Sequence, residues 1–350
     1  MKKLLLSSAA MLLGLLAYSQ EADESGKYAE LQVIPRFEFN PYLSTSGGDG
    51  SSGYDFGNSS IYTLFEGSLS DHLSFTLCNH WFSMEPAELY KATFYSNTSN
   101  WVDYANIDLN FGGWDFVLGK DMICTGGFEY EDWDFDVDGI LASQLWNTLP
   151  CYQWGAKVMY TIPSEKSSFA LQAVTSPFGE RPFASGLFAY SAQWRGDFGP
   201  FHTIWSITTA EREKSRYDYF AALGQQLELG NWTIGLDWYN TLGCGEYNML
   251  GGNSLACNTF RGTLKFSPSD RFDASLIGNY YMRKSKLDPV STFNGGLALH
   301  YYPLKNSQAI RIHAAGGYDN AWWITDSFAE PESLLVFSLG ITVNLTLLSL

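Results

Sequence analysis

The densest chemistry in the chain is one run of acids and rings, Thr125-Gly126-Gly127-Phe128-Glu129-Tyr130-Glu131-Asp132-Trp133-Asp134-Phe135-Asp136-Val137-Asp138-Gly139. Six carboxylates, those of Glu129, Glu131, Asp132, Asp134, Asp136 and Asp138, fall within ten residues. Carboxylates lining a narrow, low-dielectric passage favour the entry of cations, and the interleaved rings could pin such a run to a wall. The same residues on an outward-facing loop would do no more than carry water. Asp134-x-Asp136-x-Asp138-Gly139 also opens like a calcium loop, but its twelfth position is Leu145 where a bidentate Glu belongs. An EF-hand is therefore not expected, and a loose Ca²⁺ contact is the most that the run offers.

Other chemistries lack their spacing. His72, His80, His202, His300 and His313 stand one per segment, with no zinc-type cluster, so no metal centre and no cofactor are expected. Gly243-Cys244-Gly245 and Gly251-Gly252 have no following Lys-Ser/Thr and read as loops, not phosphate cradles. The formal net charge of -16 argues against nucleic acid as a partner.

The elements that would position the acidic run are strands. Beyond the first twenty residues no apolar stretch approaches the 20 or so needed for a membrane helix. What recurs instead is alternation: Trp232, Ile234, Leu236 and Trp238 against Thr233, Gly235 and Asp237, or Leu335, Phe337, Leu339, Ile341 and Val343 against Ser338, Gly340 and Thr342. The pattern predicts sixteen strands, near 28–42, 59–69, 73–83, 101–111, 114–124, 151–162, 168–177 and 187–196, then 201–211, 216–229, 231–242, 258–267, 271–283, 292–302, 309–318 and 333–347. Short connections such as Ser70-Asp71-His72 and Gly112-Gly113 alternate with long ones, of which 125–150 is the longest. The polar face is mostly Ser, Thr, Asn, Gln and Gly with 17% charged residues in the whole chain, fewer than a water-exposed surface carries. Rings recur near segment ends, at Trp81, Trp101, Trp114, Tyr152, Trp194, Trp232, Trp238, Tyr280 and Tyr301. Together these imply an all-β fold, a transmembrane antiparallel 16-stranded β-barrel with short periplasmic turns, long extracellular loops and aromatic girdles. A pair of soluble β-sandwiches would also alternate, but gives no reason for the alternation in loop length.

Residues 1–19 read as a signal peptide: Met1-Lys2-Lys3, an apolar stretch from Leu4 to Leu16, and Ala17-Tyr18-Ser19 before the cut. The remaining 20–350 is expected to be one barrel domain in the bacterial outer membrane, with 125–150 as an inward-folded constriction loop.

The stretch from Gly119-Lys120-Asp121 through Gly126-Gly127-Phe128-Glu129 to Tyr152-Gln153-Trp154-Gly155 resembles porins of the Bacteroidota, of the phosphate-selective porin O and P family. In layout the resemblance runs from Tyr28-Ala29-Glu30-Leu31 to Leu350. It implies a sixteen-stranded, usually homotrimeric channel in outer-membrane lipid, with the third long loop inside the lumen. Two features depart from the family. The chain ends Leu347-Leu348-Ser349-Leu350 where an aromatic residue is usual, and the third loop is acidic where a phosphate path would use ladders of Arg and Lys.

Strand parity puts Arg36, Lys157, Arg195, Arg261, Lys265, Arg283 and Arg311 on the lumen side. An acidic loop opposite this basic wall would set up a transverse field. The alternative is pairing with lumen carboxylates such as Glu38, Glu66, Asp108, Asp237 and Asp273. Five cysteines in an exported chain invite pairing. Cys124 with Cys151 would clamp the base of the acidic loop and Cys244 with Cys257 would tether another, with Cys78 left over; free thiols are the alternative. The functional expectation is a passive diffusion channel for small hydrophilic solutes and ions. A barrel plugged by its acidic loop, acting in surface binding or adhesion, is a second reading. An outer-membrane enzyme is a third, but no Ser or Asp nucleophile has a distinctively spaced His.

Overall fold

The computed structural model describes residues 27–44, 52–56, 59–83, 102–131, 135–143, 145, 149, 151–179, 181–242, 257–283, 290–320 and 333–350. The expected signal peptide, 1–19, lies outside the described residues. The strands run in chain order as β1 (Tyr28–Ser44), β2 (Ser52–Asp55), β3 (Ser60–Ser70), β4 (Leu73–Ser83), β5 (Val102–Phe111) and β6 (Trp114–Met122). Next come β7 (Tyr152–Thr161), β8 (Ser167–Thr175), β9 (Phe188–Phe198), β10 (Phe201–Glu213), β11 (Arg216–Leu229) and β12 (Trp232–Leu242). The last six are β13 (Cys257–Ser269), β14 (Phe272–Arg283), β15 (Val290–Tyr301), β16 (Ile310–Asp319), β17 (Leu334–Val343) and β18 (Leu345–Ser349).

Each long strand pairs antiparallel with its neighbours in sequence, and β1 closes the sheet by pairing with β3 on one side and with β17 and β18 on the other. The short β2 pairs with β1, and β18 continues β17 beyond Asn344. Sixteen staves therefore form one closed barrel, as the alternation predicted. Closure pairs each of the sixteen long staves on both edges among the described residues, the condition for a sheet to sit in hydrocarbon. Tight turns such as Gly112-Gly113 join successive strands; both glycines have positive φ, 57° and 87°, which two-residue hairpin turns demand.

The faces are inside out relative to a soluble protein. On β12, Ile234 and Leu236 are 44% and 53% exposed, while Asp237 between them and Trp238 is 3% exposed. The exposed face continues through Phe116, Leu171, Ile207, Leu276, Leu297, Phe337 and Leu339. Rings pair across strands at the rim of the short turns: Trp114 with Tyr160 at 4.7 Å, Trp194 with Trp205 at 4.9 Å and Trp232 with Phe266 at 4.5 Å between centroids. The buried residues lie inside the barrel, where they meet the segment that follows β6.

Candidate functional site: the lumen and its inserted loop

The chain leaves β6 at Met122 and turns into the barrel because side chains of other strands hold its backbone. The Gln172 amide brackets the root: its Oε1 accepts from the Cys124 N–H and its Nε2 donates to the Met122 carbonyl, both at 2.8 Å. The Thr208 hydroxyl donates to the Cys124 carbonyl at 2.9 Å. Gly126 and Gly127 follow with φ of 75° and 82°, in the left-handed region, and a Cβ on Gly127 would collide with the Tyr239 hydroxyl. A Cβ on the facing Gly224 would stand 2.9 Å from the Gly127 Cα, so loop and wall touch backbone to backbone.

Two short 3₁₀ segments, Phe128–Tyr130 and Phe135–Leu141, then cross to β11–β12 and β14–β17 respectively. The Asp237 carboxylate accepts the Phe128 N–H at 3.0 and 3.1 Å, the Glu129 N–H at 3.2 Å and the Tyr239 hydroxyl at 3.1 Å. The Arg261 guanidinium lies 3.2 Å from Glu129 Oε1 and donates to the Leu141 carbonyl at 2.9 Å. Asn279 donates to the same carbonyl at 2.8 Å, and Asn294 donates to the Ile140 carbonyl at 3.1 Å. Asp138 meets His300 Nε2 at 3.0 Å. Burial works against the Asp138 charge, but the hydrogen bond from His300 and the fields of His300, His313 and Arg311 outweigh it and hold its pKa below the usual carboxylate value.

Apolar contacts complete the docking. Leu141, fully buried, packs with Ile277, Ala298 and Ala315 of the inner wall. Ile123, Leu145 and Leu149 pack with Val174, Ala189, Ala210, Phe220, Ala222 and Tyr239. Each such aliphatic side chain contributes about 1.5–3 kcal/mol on burial. The segment is thus fixed by burial and by buried carbonyls and amides that the wall satisfies.

The expected site residues fall as follows. Glu129 is buried on Arg261, and Glu131 forms a two-pronged pair with Arg195 at 2.5 and 2.6 Å. Asp138 is on His300. Asp132, Asp134 and the Asp136 side chain lie outside the described residues. Among the basic residues, Arg36 pairs with Glu38 at 3.3 Å, Lys157 with Asp121 at 2.5 Å and Lys265 with Asp273 at 3.4 Å. Arg311 reaches Thr342 at 3.5 Å. The Arg283 side chain is outside the described residues. Glu129, Glu131 and Asp138 therefore meet Arg261, Arg195 and His300 directly, while Arg36, Lys157 and Lys265 pair with carboxylates of the strands. A candidate disulfide is corrected: no bond joins Cys124 to Cys151, and Cys124 is a buried thiol. The Ile123 N–H donates to the Cys151 carbonyl at 2.8 Å, so the backbone ladder already closes the loop base there. Cys244 and the Cys257 side chain lie outside the described residues.

Residues the sequence reading passed over are Gln172, Asn279, Asn294 and His300, which look like ordinary polar lumen positions until a partner arrives. Their one signal is apolar company on the inner face: Val174 stands two residues from Gln172, Ile277 two from Asn279 and Ala298 two from His300. Toward the short-turn end, the inner faces carry half-buried Glu30, Glu66, Asp108 and Asp115. Glu30 and Glu66 stand directly opposite each other across β1 and β3, and β3, β4 and β5 contain no Lys or Arg.

No family model and no curated protein matches the sequence. Solved structures do match in fold. An anion-selective porin from Comamonas acidovorans superimposes with a TM-score of 0.58 at 12% identity, covering 91% of this chain and 100% of that one. The outer membrane channel DcaP of Acinetobacter baumannii gives 0.57 at 10% identity, covering 93% and 99%. OmpT of Vibrio cholerae, an outer-membrane protein, gives 0.57 at 12% identity, covering 93% and 99%. The chain has the fold of bacterial outer-membrane porins and channels.

Proposed function

We propose that the chain is a passive, non-enzymatic outer-membrane channel for small hydrophilic solutes and ions, with a preference for cations. The observation that carries this reading is the inside-out barrel: an apolar belt outside, polar side chains inside, and a loop folded into the lumen. A sixteen-stranded barrel has room for an aqueous path beside such a loop. The described loop acids are matched by Arg195, Arg261 and His300, so the preference is assigned to the wall, where Glu30, Glu66, Asp108 and Asp115 lie on an arc free of Lys and Arg on β3–β5. No cofactor and no bound Ca²⁺ are part of this proposal. Residues 1–19 act as the export signal. The protein assembles as a homotrimer, a state in which OmpT of Vibrio cholerae has been solved.

The plugged-barrel reading has one observation in its favour: Val137, Leu141, Leu145 and Leu149 are at most 4% exposed, so the loop fills part of the lumen. Swelling of liposomes holding the refolded protein separates the two. Uncharged sugars of increasing size should enter at falling rates with a sharp upper limit. Exclusion of even the smallest sugar would favour the plug.

A further inference from the structure

His300 and His313 stand directly opposite each other on β15 and β16, with ring centroids 6.2 Å apart. His300 holds Asp138 of the inserted loop at 3.0 Å, and His313 lies 3.4 Å from Glu38 of β1. His313 is 1% exposed, and neither ring nitrogen has a hydrogen-bond partner. Its ring lies on Gly340 of β17, where any Cβ would collide with the imidazole. A buried imidazole that makes no hydrogen bond, yet holds Nε2 3.4 Å from the Glu38 carboxylate, is placed to act through charge more than through packing.

The groups that face the pair come from every neighbouring element. Asp138 approaches from the loop, Arg311 shares β16, and Arg36 and Glu38 come from β1. Asp273 of β14 is in register with His300 and pairs with Lys265 of β13, while β17 contributes the neutral Gly340 and Thr342. With both imidazoles neutral, three carboxylates match three basic groups. A proton entering the pair therefore adds an uncompensated positive charge to the wall, next to the one carboxylate that belongs to the loop.

We propose that the His300–His313 pair is a proton-operated latch that draws the Phe135–Leu141 segment more firmly onto the wall as pH falls. A proton on His300 turns the Asp138–His300 hydrogen bond into a charge-assisted one, which is shorter and stronger. A second proton is opposed by the first, because the rings face each other. The latch's effect on the loop stands by itself; its effect on passage rests on the channel reading, in which a firmer loop means a quieter and less conductive pore in acid.

The test is hydrogen exchange, read by mass spectrometry, on the full mature chain folded in detergent micelles. Amides of 137–143 should be about tenfold better protected at roughly pH 5.5 than at roughly pH 8, after correction for intrinsic exchange. His300→Gln with His313→Gln should abolish the difference, and the single His300→Gln, whose amide can still donate to Asp138, serves if the pair fails to fold. Equal protection of the wild type at both pH values, or an undiminished shift in the variants, overturns the latch. Bilayer conductance is recorded in parallel: an exchange shift without conductance at either pH would sink the channel reading and leave the latch standing.

Discussion

The Asp237 carboxylate, on the inner face of β12, accepts the backbone N–H of Phe128, 109 residues away in the chain, at 3.0 and 3.1 Å. It does for the first turn of the loop what a capping side chain does for a helix: it takes up backbone donors that would otherwise be buried without partners. Asp237→Ala leaves the Phe128 and Glu129 amides orphaned, at about 1–3 kcal/mol of docking, or roughly 5–150-fold in the ratio of docked to undocked loop. Single-channel records of the variant should show a larger and noisier conductance than wild type. A trace indistinguishable from wild type would mean that the loop does not shape the pore.

Arg261 holds three partners, the Glu129 carboxylate, the Leu141 carbonyl and Asn279 Oδ1. Arg261→Met removes all three and strands a carboxylate that is only 7% exposed, at an expected cost of about 3–5 kcal/mol. Adding Glu129→Gln should recover much of that loss, since the stranded charge is then gone. Urea midpoints of the folded barrel, followed by gel mobility, would show the loss and its partial rescue.

The strands were legible in the sequence because period-two alternation is a local signal, and the rims could be placed because rings cluster at segment ends. Two details were not. Ser52–Asp55 reads as loop, since Ser-Gly-Tyr-Asp is poor strand material, and the break at Asn344 interrupts an alternation that continues on either side of it. The loop was legible as a feature but its chemistry was not. Parity gives the face a residue occupies, not its height in the barrel. Arg195 and Arg261 could thus be assigned to the lumen, while their contacts with Glu131 and Glu129 depend on register and on the path of the loop. Asn279 and Asn294 carry no mark of their own; each becomes an anchor only because the carbonyls of Ile140 and Leu141 arrive beside it.

The outward face makes a prediction that separates a membrane barrel from a soluble one. Leu236 is more than half exposed. In water its replacement by Arg would be nearly neutral, whereas near the midplane of a bilayer it should cost about 2–4 kcal/mol. Thr233→Arg, on the lumen face of the same strand, should be tolerated. Folding equilibria in lipid vesicles would compare the two; equal tolerance would contradict the assignment of faces.

Asp138 has a depressed pKa, so the sign of its contribution is fixed. The ionised carboxylate that docks, whatever the state of the facing imidazoles, is fully present above the ordinary carboxylate value and is lost only as pH falls through the lower folded value. Loop protection in the wild type should therefore persist down to about pH 4, the unperturbed carboxylate value, and fall below it. Asp138→Asn should be weaker at neutral pH and should show no such acid loss.

The central claim is that the barrel encloses a water-filled path whose free charges are the carboxylates of the β1–β6 arc. Its most direct test is the reversal potential of the refolded protein in a planar bilayer across a KCl gradient, with Glu66→Gln/Asp108→Gln alongside. The account predicts stepwise conductance, a reversal potential of the sign for K⁺ over Cl⁻, and a shift toward zero in the double variant. A chloride-selective potential, or a cation preference unmoved by the double variant, would contradict it.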